Sequence, residues 1–507
     1  MLGVVATGFD LVIQNRSELT SHGHREGRAL ALDILEGGLA ASDPYANTCK
    51  LIHIVGDKLL VGGCPDMDVS GYGDEVIDLS EVDHIYVVGA GKAVQRQAQA
   101  LEDILGDRLT AGSISVKKGE ACTLKRIEVT EAAHLIPDEQ SVVGARQIMT
   151  LVRAATARDL VITLFSDGAS SLFVLPATGL SLDNICQVYA LAIKYGSQLV
   201  IHQVMPYFSA VKCGRVLYEA HPARTINLIM EVGHFPRWHG QIPEDGSWVP
   251  SWPPARRRMV DAVRELKACP WWHELTPTLR AALESAGTAA SPYEVPDLDD
   301  FRGMRASYWQ PIDMDQMVEG ACATAEALGL KGVILSSALA AQSASAVSIL
   351  SHIAHECELH ERPFAPPVAL ITGGHLDVAV GNATGIGGRN QEFALLWGQA
   401  LGTGLLASKR IVVAAMDSDG TDGPGTQNMD GSGDVTCMAG GVADGYLMKE
   451  AASLGVDVAA ELANHNSTPA LMALNSAIYT GNTGTCLGDL RVAIVMADSS
   501  TKEMGDL

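Results

Sequence analysis

The chain has 507 residues, 47% of them hydrophobic but only 5% aromatic, with 51 glycines; this exceeds a usual single domain and supplies small and aliphatic residues for two cores of helices packed on buried strands. The 59 acidic and 36 basic residues give a formal net charge of −23, a field that repels phosphate backbones and anionic lipid, so nucleic acid and membrane are excluded as partners, whereas a small anion can be held by local cations. Ten cysteines are scattered without a C-x-x-C pair, no stretch approaches roughly 18 uninterrupted apolar residues, and the opening MLGVVATGFDLVIQNR carries Asp10 and no basic start, so the expected location is the cytoplasm.

From Asn15 to Asp43, apolar residues recur at helical spacing (Ala29, Leu30, Leu32, Leu35), with Gly37 and Gly38 as stop signals, which predicts an N-terminal helix. A buried-type strand at His84 to Val88 runs into Gly89-Ala90-Gly91-Lys92 and then into the helical AVQRQAQALEDIL. A second strand, Leu160 to Phe165, passes into the small-residue turn Ser166 to Ser171. Strand, small turn and helix form the repeating unit of a parallel α/β sheet, whose ligands collect at the carboxyl ends of the strands. Between about Phe235 and Pro296 the chain turns rich in Trp and Pro, which reads as a linker with one short helix, MVDAVRELKA, or as a surface insertion. The α/β pattern then resumes: helix Asp315 to Leu328, strand Gly332 to Ser336, helix Ala340 to Cys357, strand Val368 to Thr372, helix Gln391 to Leu401, strand Arg410 to Met416.

Three segments could carry chemistry. VVGAGKA (87 to 93) offers backbone amides near a helix start, an anion seat that Lys92 can complete; the alternative is a tight turn with a solvated lysine. It is not a Walker A loop, since the G-x-x-x-x-G-K-[ST] frame is absent. FSDGASSLFVLP (165 to 176) supplies the Ser166, Ser170 and Ser171 hydroxyls and Gly168 for close backbone approach, but no G-x-S-x-G elbow, so it gives no support for a serine hydrolase. In ITGGHLDVAVGNATGIGGRNQEFAL (371 to 395), Gly387 and Gly388 precede Arg389 at a helix start, a place for bidentate grip on a carboxylate or phosphate. Asp417, Asp419 and Asp422 follow in DSDGTDGPGT, fit to hold magnesium or to accept a hydroxyl proton, or else a plain solvated turn. HIAHECELH (352 to 360) lacks the H-E-x-x-H spacing and reads as a solvated helix face rather than a zinc site.

In this order, VGAGKA (88 to 93), AAHLIPDEQS (132 to 141), the serine turn, FSAVKCGR (208 to 215), GIGGRNQEFAL (385 to 395), DSDGTDGPGT (417 to 426) and TGNTGTCLGDL (480 to 490) resemble the glycerate 2-kinase family, along most of the chain. The resemblance implies a two-domain α/β protein with an active-site cleft between the domains. The expected parts are an N-terminal Rossmann-like parallel-sheet domain at 1–240, the Trp/Pro-rich linker or insertion at 241–300, and a C-terminal α/β domain at 301–507 with a MOFRL region at about 368–495. It implies phosphorylation of D-glycerate at its 2-hydroxyl, or of a related small hydroxy acid, with ATP and Mg2+, by a chain that could form a homodimer.

Residue by residue, Lys92, Arg389 and Asp419 match catalytic positions, and Asp419 and Asp422 a metal-binding turn. Gly89, Gly91, Ser166, Gly168, Ser170, Lys212, Arg215, Gly388 and Asn390 match substrate- or phosphate-binding positions. Phosphoryl transfer needs positive groups, a metal and an oriented hydroxyl more than covalent catalysis, which agrees with those roles. The chain departs from the family pattern at Asp167, in MEVGH (230 to 234) and the WHGQIPEDG that follows, at His375 and at His465. Two alternatives follow: a divergent member with another substrate or a non-catalytic ligand-binding role, and a hydroxypyruvate reductase. The second needs a dinucleotide site, and Val94 stands where the third small residue of G-x-G-x-x-G/A belongs.

Overall fold

The computed structural model describes residues 12–69, 71–120, 122, 124–197, 200–230, 249–252, 258–286, 295–423 and 438–498. The described residues fall into two compact units: Pro44–Glu231 with Phe235–Ile312, and Met1–Asp43 with Asp313–Leu507. Residues 231–234, the WHGQIPEDG stretch and residues 424–426 of the acidic turn lie outside the described residues.

The centre of the first unit is built on runs of Val, Ile and Leu that leave no polar face, the signature of strands covered on both sides. Strands β1 (Ile52–Val55), β2 (Lys58–Val61) and β3 (Glu75–Asp78) make a small antiparallel sheet, which the sequence reading did not anticipate. Strands β4 (Ile85–Ala90), β5 (Ala111–Lys117), β6 (Ile127–Ala132), β7 (Leu160–Phe165), β8 (Arg224–Ile229) and β9 (Ala306–Trp309) form an all-parallel sheet in the order β6-β5-β4-β7-β8-β9. Every residue of β4 and β7 is buried. The chain steps one way from β4 and the other way from β7, so the strand order reverses between them, and in such sheets a crevice opens outside the carboxyl ends at that point. Both small-residue turns follow these two strands.

The described part of the Trp/Pro-rich segment, 249–252 and 258–286, contributes to this unit's core, where a linker or surface insertion was expected. Trp252 is buried edge-on against Tyr308, with ring centroids 4.7 Å apart. Trp271 is fully buried with Met259 and Leu266 of the helix Met259–Ala268. Large rings bury more apolar area than any other side chain, so a Trp-rich stretch in an aromatic-poor chain is drawn inward.

The second unit has strands β10 (Lys331–Gln342), β11 (Val368–Asp377), β12 (Ile411–Asp417), β13 (Gly440–Asp444), β14 (Ala477–Ile478) and β15 (Asp489–Val495) in the order β10-β11-β15-β12-β13-β14. Only β10 and β11 pair in parallel; the other neighbours are antiparallel. The last strand thus inserts between β11 and β12, and the register sets Asp489 opposite both Gly374 and Asp417.

The N-terminal segment belongs to this second unit, not to the domain expected at 1–240. The predicted N-terminal helix is two helices, Arg16–Leu19 and Arg25–Ala41, separated at Gly23, whose φ of +60° breaks the run. Gly37 and Gly38 lie inside the second helix rather than ending it. A Cβ on Gly37 would stand 2.0 Å from Thr324 Oγ1, and one on Gly38 2.9 Å from the Met317 carbonyl oxygen. They are the flat surface on which the helix Met314–Ala327 rests. Arg28 anchors the segment through a fully buried ion pair, Nε to Asp444 Oδ2 at 2.6 Å. Among the described residues no helix is long and apolar enough to cross a membrane.

Candidate active site

In the parallel-sheet unit the two turns interlock. The Lys92 N–H donates to the Asp167 carbonyl at 2.9 Å, the Ala93 N–H to Ser166 Oγ at 3.1 Å, and the Ser166 N–H to the Ala90 carbonyl at 3.2 Å. Such contact requires glycine. Gly91 has φ +146°, and a Cβ there would lie 2.0 Å from Ser166 Oγ. Gly89 faces the Leu164 carbonyl oxygen, 2.1 Å from where a Cβ would be, and Gly168, at φ +88°, has the Lys92 side chain against it.

Lys92 is only 12% exposed and pairs with Asp167, Nζ to Oδ2 at 3.3 Å. It is therefore not the solvated lysine of the alternative reading. Burial raises the Asp167 pKa, but Lys92, then His202 and His134, outweigh it and hold the carboxyl well below its ordinary range. The departure from the family pattern at Asp167 is thus neutralised by the lysine it adjoins. The helix Val94–Leu105 follows, with Ala93 at its N-cap position and so no side-chain cap from that residue. The helix dipole adds positive potential beside the Lys92–Asp167 pair at the strand-order reversal.

Lys212 is turned onto the serine turn itself. Lys212 is 2% exposed, and its ammonium donates to the carbonyls of Ala169 (2.9 Å) and Ser170 (2.7 Å). A buried cation must find acceptors, and the carbonyl end of the short helix Ala169–Leu172 supplies them. Arg215 opens the helix Arg215–Ala220 and reaches the Lys212 carbonyl at 3.5 Å. The Ser170 side chain is buried, and its carbonyl also accepts the Tyr189 hydroxyl at 2.8 Å.

In the mixed-sheet unit the organising group is Asp489, which the sequence reading passed over. The β-register sets it opposite Asp417, and like charges directly opposed are unfavourable unless a cation intervenes. Arg389, first residue of the helix Arg389–Gly402, is that cation. Its Nε lies 2.9 and 3.1 Å from the two Asp489 oxygens, and its Nη2 2.7 Å from Asp489 Oδ1 and 2.6 Å from Asp417 Oδ2. Asn390 Nδ2 adds a bond to Asp489 at 2.7 Å, the Leu376 N–H another at 2.9 Å, and Arg491 pairs with the same carboxylate. Burial raises the Asp489 pKa, but Arg389 and Arg491 outweigh it and the carboxyl sits well below its ordinary range. His375, a departure from the family pattern, also lowers it. The detectable signal was Asp489-Leu490-Arg491: alternate residues of a strand share a face, so a carboxylate and a guanidinium meet there.

Asp422 is placed otherwise than a metal ligand. Its carboxylate accepts the backbone N–H groups of Asn390 (3.0 Å) and Gln391 (2.8 Å) and the Asn390 side-chain amide (3.2 Å). It caps the helix Arg389–Gly402, and Gly388 is required because a Cβ there would lie 2.2 Å from Asp422 Oδ2. Burial pushes the Asp422 pKa up to about 6, against the pull of Arg389. An anion is thus already built into this helix start. Asp419 is buried, its Oδ1 accepting the Thr421 N–H at 2.7 Å and its own N–H donating to Asp417 Oδ1 at 3.1 Å. Among the described residues no group of three or more His, Cys, Asp or Glu is arranged to hold a metal. The Asp422 carboxylate is thus engaged by the helix start. The histidines of HIAHECELH lie on the helix Ser343–His360, with His355 near Glu358 at 3.5 Å.

The family model for the "domain of unknown function (DUF4147)" matches residues 30–231, and that for the "MOFRL family" residues 368–489. A glycerate 2-kinase from Pyrococcus horikoshii is 30% identical, covering 92% of this chain and 98% of its own. A protein from Agrobacterium vitis, provisionally named a hydroxypyruvate reductase, is 30% identical over 81% of this chain and 98% of its own. The crystal structure of glycerate kinase from Thermotoga maritima superposes with a TM-score of 0.69 at 26% identity, covering 92% of this chain and 99% of that one. With this shared architecture and sequence along both units, the chain belongs to the glycerate 2-kinase family.

Proposed function

We propose that this chain transfers the γ-phosphoryl group of ATP to the 2-hydroxyl of D-glycerate or of a related small hydroxy acid. It is a phosphotransferase with an alcohol group as acceptor. The observation that carries the reading is the interlocked pair of turns at the strand-order reversal, which sets the Lys92–Asp167 pair at the start of the helix Val94–Leu105. Phosphoryl transfer depends chiefly on such placed charge, because the transition state spreads negative charge over the moving group.

In this reading Lys92 is a catalytic cation, with Gly89, Gly91, Ser166 and Gly168 shaping its seat. Arg389 and Asp419 are the further candidates, with Gly388 and Asn390 fixing the backbone around Arg389. Magnesium enters as the counter-ion of the nucleotide's phosphates. The expected location remains the cytoplasm.

Hydride transfer to hydroxypyruvate is the second reading, favoured by the strand order, which is that of dinucleotide-binding sheets. Against it, Val94 fills the position where a dinucleotide site needs a small residue, and it is fully buried. The test is ADP release from ATP and magnesium across small hydroxy acids led by D-glycerate, with NADH oxidation by hydroxypyruvate run beside it. ADP release dependent on glycerate is expected; NADH oxidation without ADP release would replace the kinase reading. Lys92→Ala is expected to lower kcat about a hundredfold, the scale of losing one electrostatic stabiliser. Unchanged turnover would remove Lys92 from the site.

A further inference from the structure

Lys212 is a lysine with almost no water-facing surface and only neutral hydrogen-bond partners in reach of its head. Its ammonium, 2% exposed, donates to two successive carbonyls, Ala169 and Ser170, in the four-residue helix that follows Gly168. The chain is bent to put it there. Cys213, immediately after it, has φ +55°, a left-handed conformation costly for a residue with a side chain, and Gly214 continues at φ +74°.

What Lys212 holds is connected to Lys92. The Ala169–Leu172 helix begins at Gly168, whose α-carbon packs on the Lys92 side chain, and the preceding Asp167 and Ser166 receive the Lys92 and Ala93 amides. Tyr189 supports the same segment, donating its hydroxyl to the Ser170 carbonyl. We propose that Lys212 is a positioning residue: it fixes the 166–172 turn from inside the protein and, through that turn, sets the Lys92 seat. This deepens the kinase reading and rests on it for its catalytic consequence, though not for its structural one.

The charge on Lys212 is conditional. Burial lowers its pKa to about 7. The groups that face it do not restore it: burial pushes the Cys213 thiol up to about 12, burial holds His202 below its ordinary value, Arg215 reaches its carbonyl, and the acid of the turn, Asp167, pairs with Lys92. Two effects of opposite sign follow. Between about pH 7 and the ordinary lysine range the unfolded chain binds more protons at this group than the folded one, so its contribution to global stability improves as pH rises. Over the same range the turn loses its cationic anchor and becomes looser.

The experiment compares the wild type with Lys212→Met, reading hydrogen exchange in 166–172, melting temperature and steady-state kinetics from pH 6 to 9. Tyr189→Phe is a milder second variant. After correction for base catalysis of exchange, the wild-type turn is expected to exchange faster as pH rises through about 7, and Lys212→Met to exchange fast at every pH. The melting temperature of Lys212→Met at pH 7 should not fall, since the desolvation cost of a buried charge is removed with it. The kcat is expected to drop about tenfold with KM for glycerate changed by less than about threefold, the pattern of a group that does not touch substrate.

A rise in KM with kcat intact would make Lys212 a substrate ligand and overturn the proposal. A lower melting temperature with faster exchange throughout the unit would make it a merely structural lysine and also overturn it, as would unchanged exchange in the turn. If the wild type shows no kinase activity, the functional reading fails, and the exchange data still decide the role of Lys212.

Discussion

At the scale of single residues, the chemistry of the mixed-sheet unit depends on how many groups one carboxylate can satisfy. Asp489 receives Arg389, Arg491, Asn390 and the Leu376 amide, and it is fully buried. Asp489→Asn keeps the shape but removes the charge and turns an N–H group toward donors. Breaking a buried ion pair on one side costs about 3–5 kcal/mol, because the remaining charge is left without compensation. We expect a urea midpoint lowered accordingly at pH 7, and kinase turnover lost beyond what unfolding explains. Because the folded pKa of Asp489 is depressed, its stabilisation is present above the ordinary carboxylate range and is lost as the pH falls below it. The gap between the two proteins should therefore close only in acid; a gap that is flat with pH would mean Asp489 is not the ionised hub.

Among the residues foreseen from sequence, Lys92, Gly89, Gly91, Ser166 and Gly168 come together in one place. Lys212 and Asp422 were assigned from the family resemblance, and both turn inward. A lysine and an aspartate read as ligands in a sequence because neither spacing nor composition tells which way a side chain faces. Here the backbone groups of a helix, carbonyls in one case and amides in the other, had first claim on each.

At the scale of elements, β4 and β7 and the turns after them were legible because a continuous apolar run ending in glycines has few readings. The interlocking of the two turns was not, since it needs the parallel β4–β7 pairing that sets Ala90 beside Phe165. That closeness gives a prediction. In Gly91→Ala the new methyl would lie 2.0 Å from Ser166 Oγ and 2.8 Å from the Ser166 carbonyl oxygen, at a φ that side chains avoid. A cost of about 2–4 kcal/mol is expected from clash and backbone strain together. The urea midpoint and the KM for ATP should both move, and a variant indistinguishable from wild type would show that the turns do not touch. The same logic explains Gly37 and Gly38. Glycines after an apolar run look like a helix stop, but here they admit a neighbouring helix, which only packing reveals.

At the scale of the whole molecule, the partition of the chain is not the partition of the sequence. The helix Arg25–Ala41 packs on β12, β15 and the helix Met314–Ala327, all far along the chain from it. Arg28 and Asp444 meet with both side chains fully buried. Arg28→Ala should cost about 3–5 kcal/mol for the stranded carboxylate. Residues 313–507 produced alone should aggregate through the surface that helix covers, and adding residues 12–43 as a separate peptide should raise the soluble fraction. If 313–507 were monomeric and fully folded alone, the N-terminal segment would be an appendage rather than part of the unit.

The sequence by itself determined the α/β class, the strands β4, β7, β10, β11 and β12, and the turn that carries Lys92, because these follow from local period and local glycine. Tertiary structure alone decided that the last strand enters between β11 and β12 to set Asp489 against Asp417 and Arg389, that the first helix joins the C-terminal unit, and that the tryptophans close a core. Those outcomes depend on contacts between residues far apart in the chain. The free energy that selects them comes from buried area and from charges that must find partners, and neither quantity exists until the chain is folded.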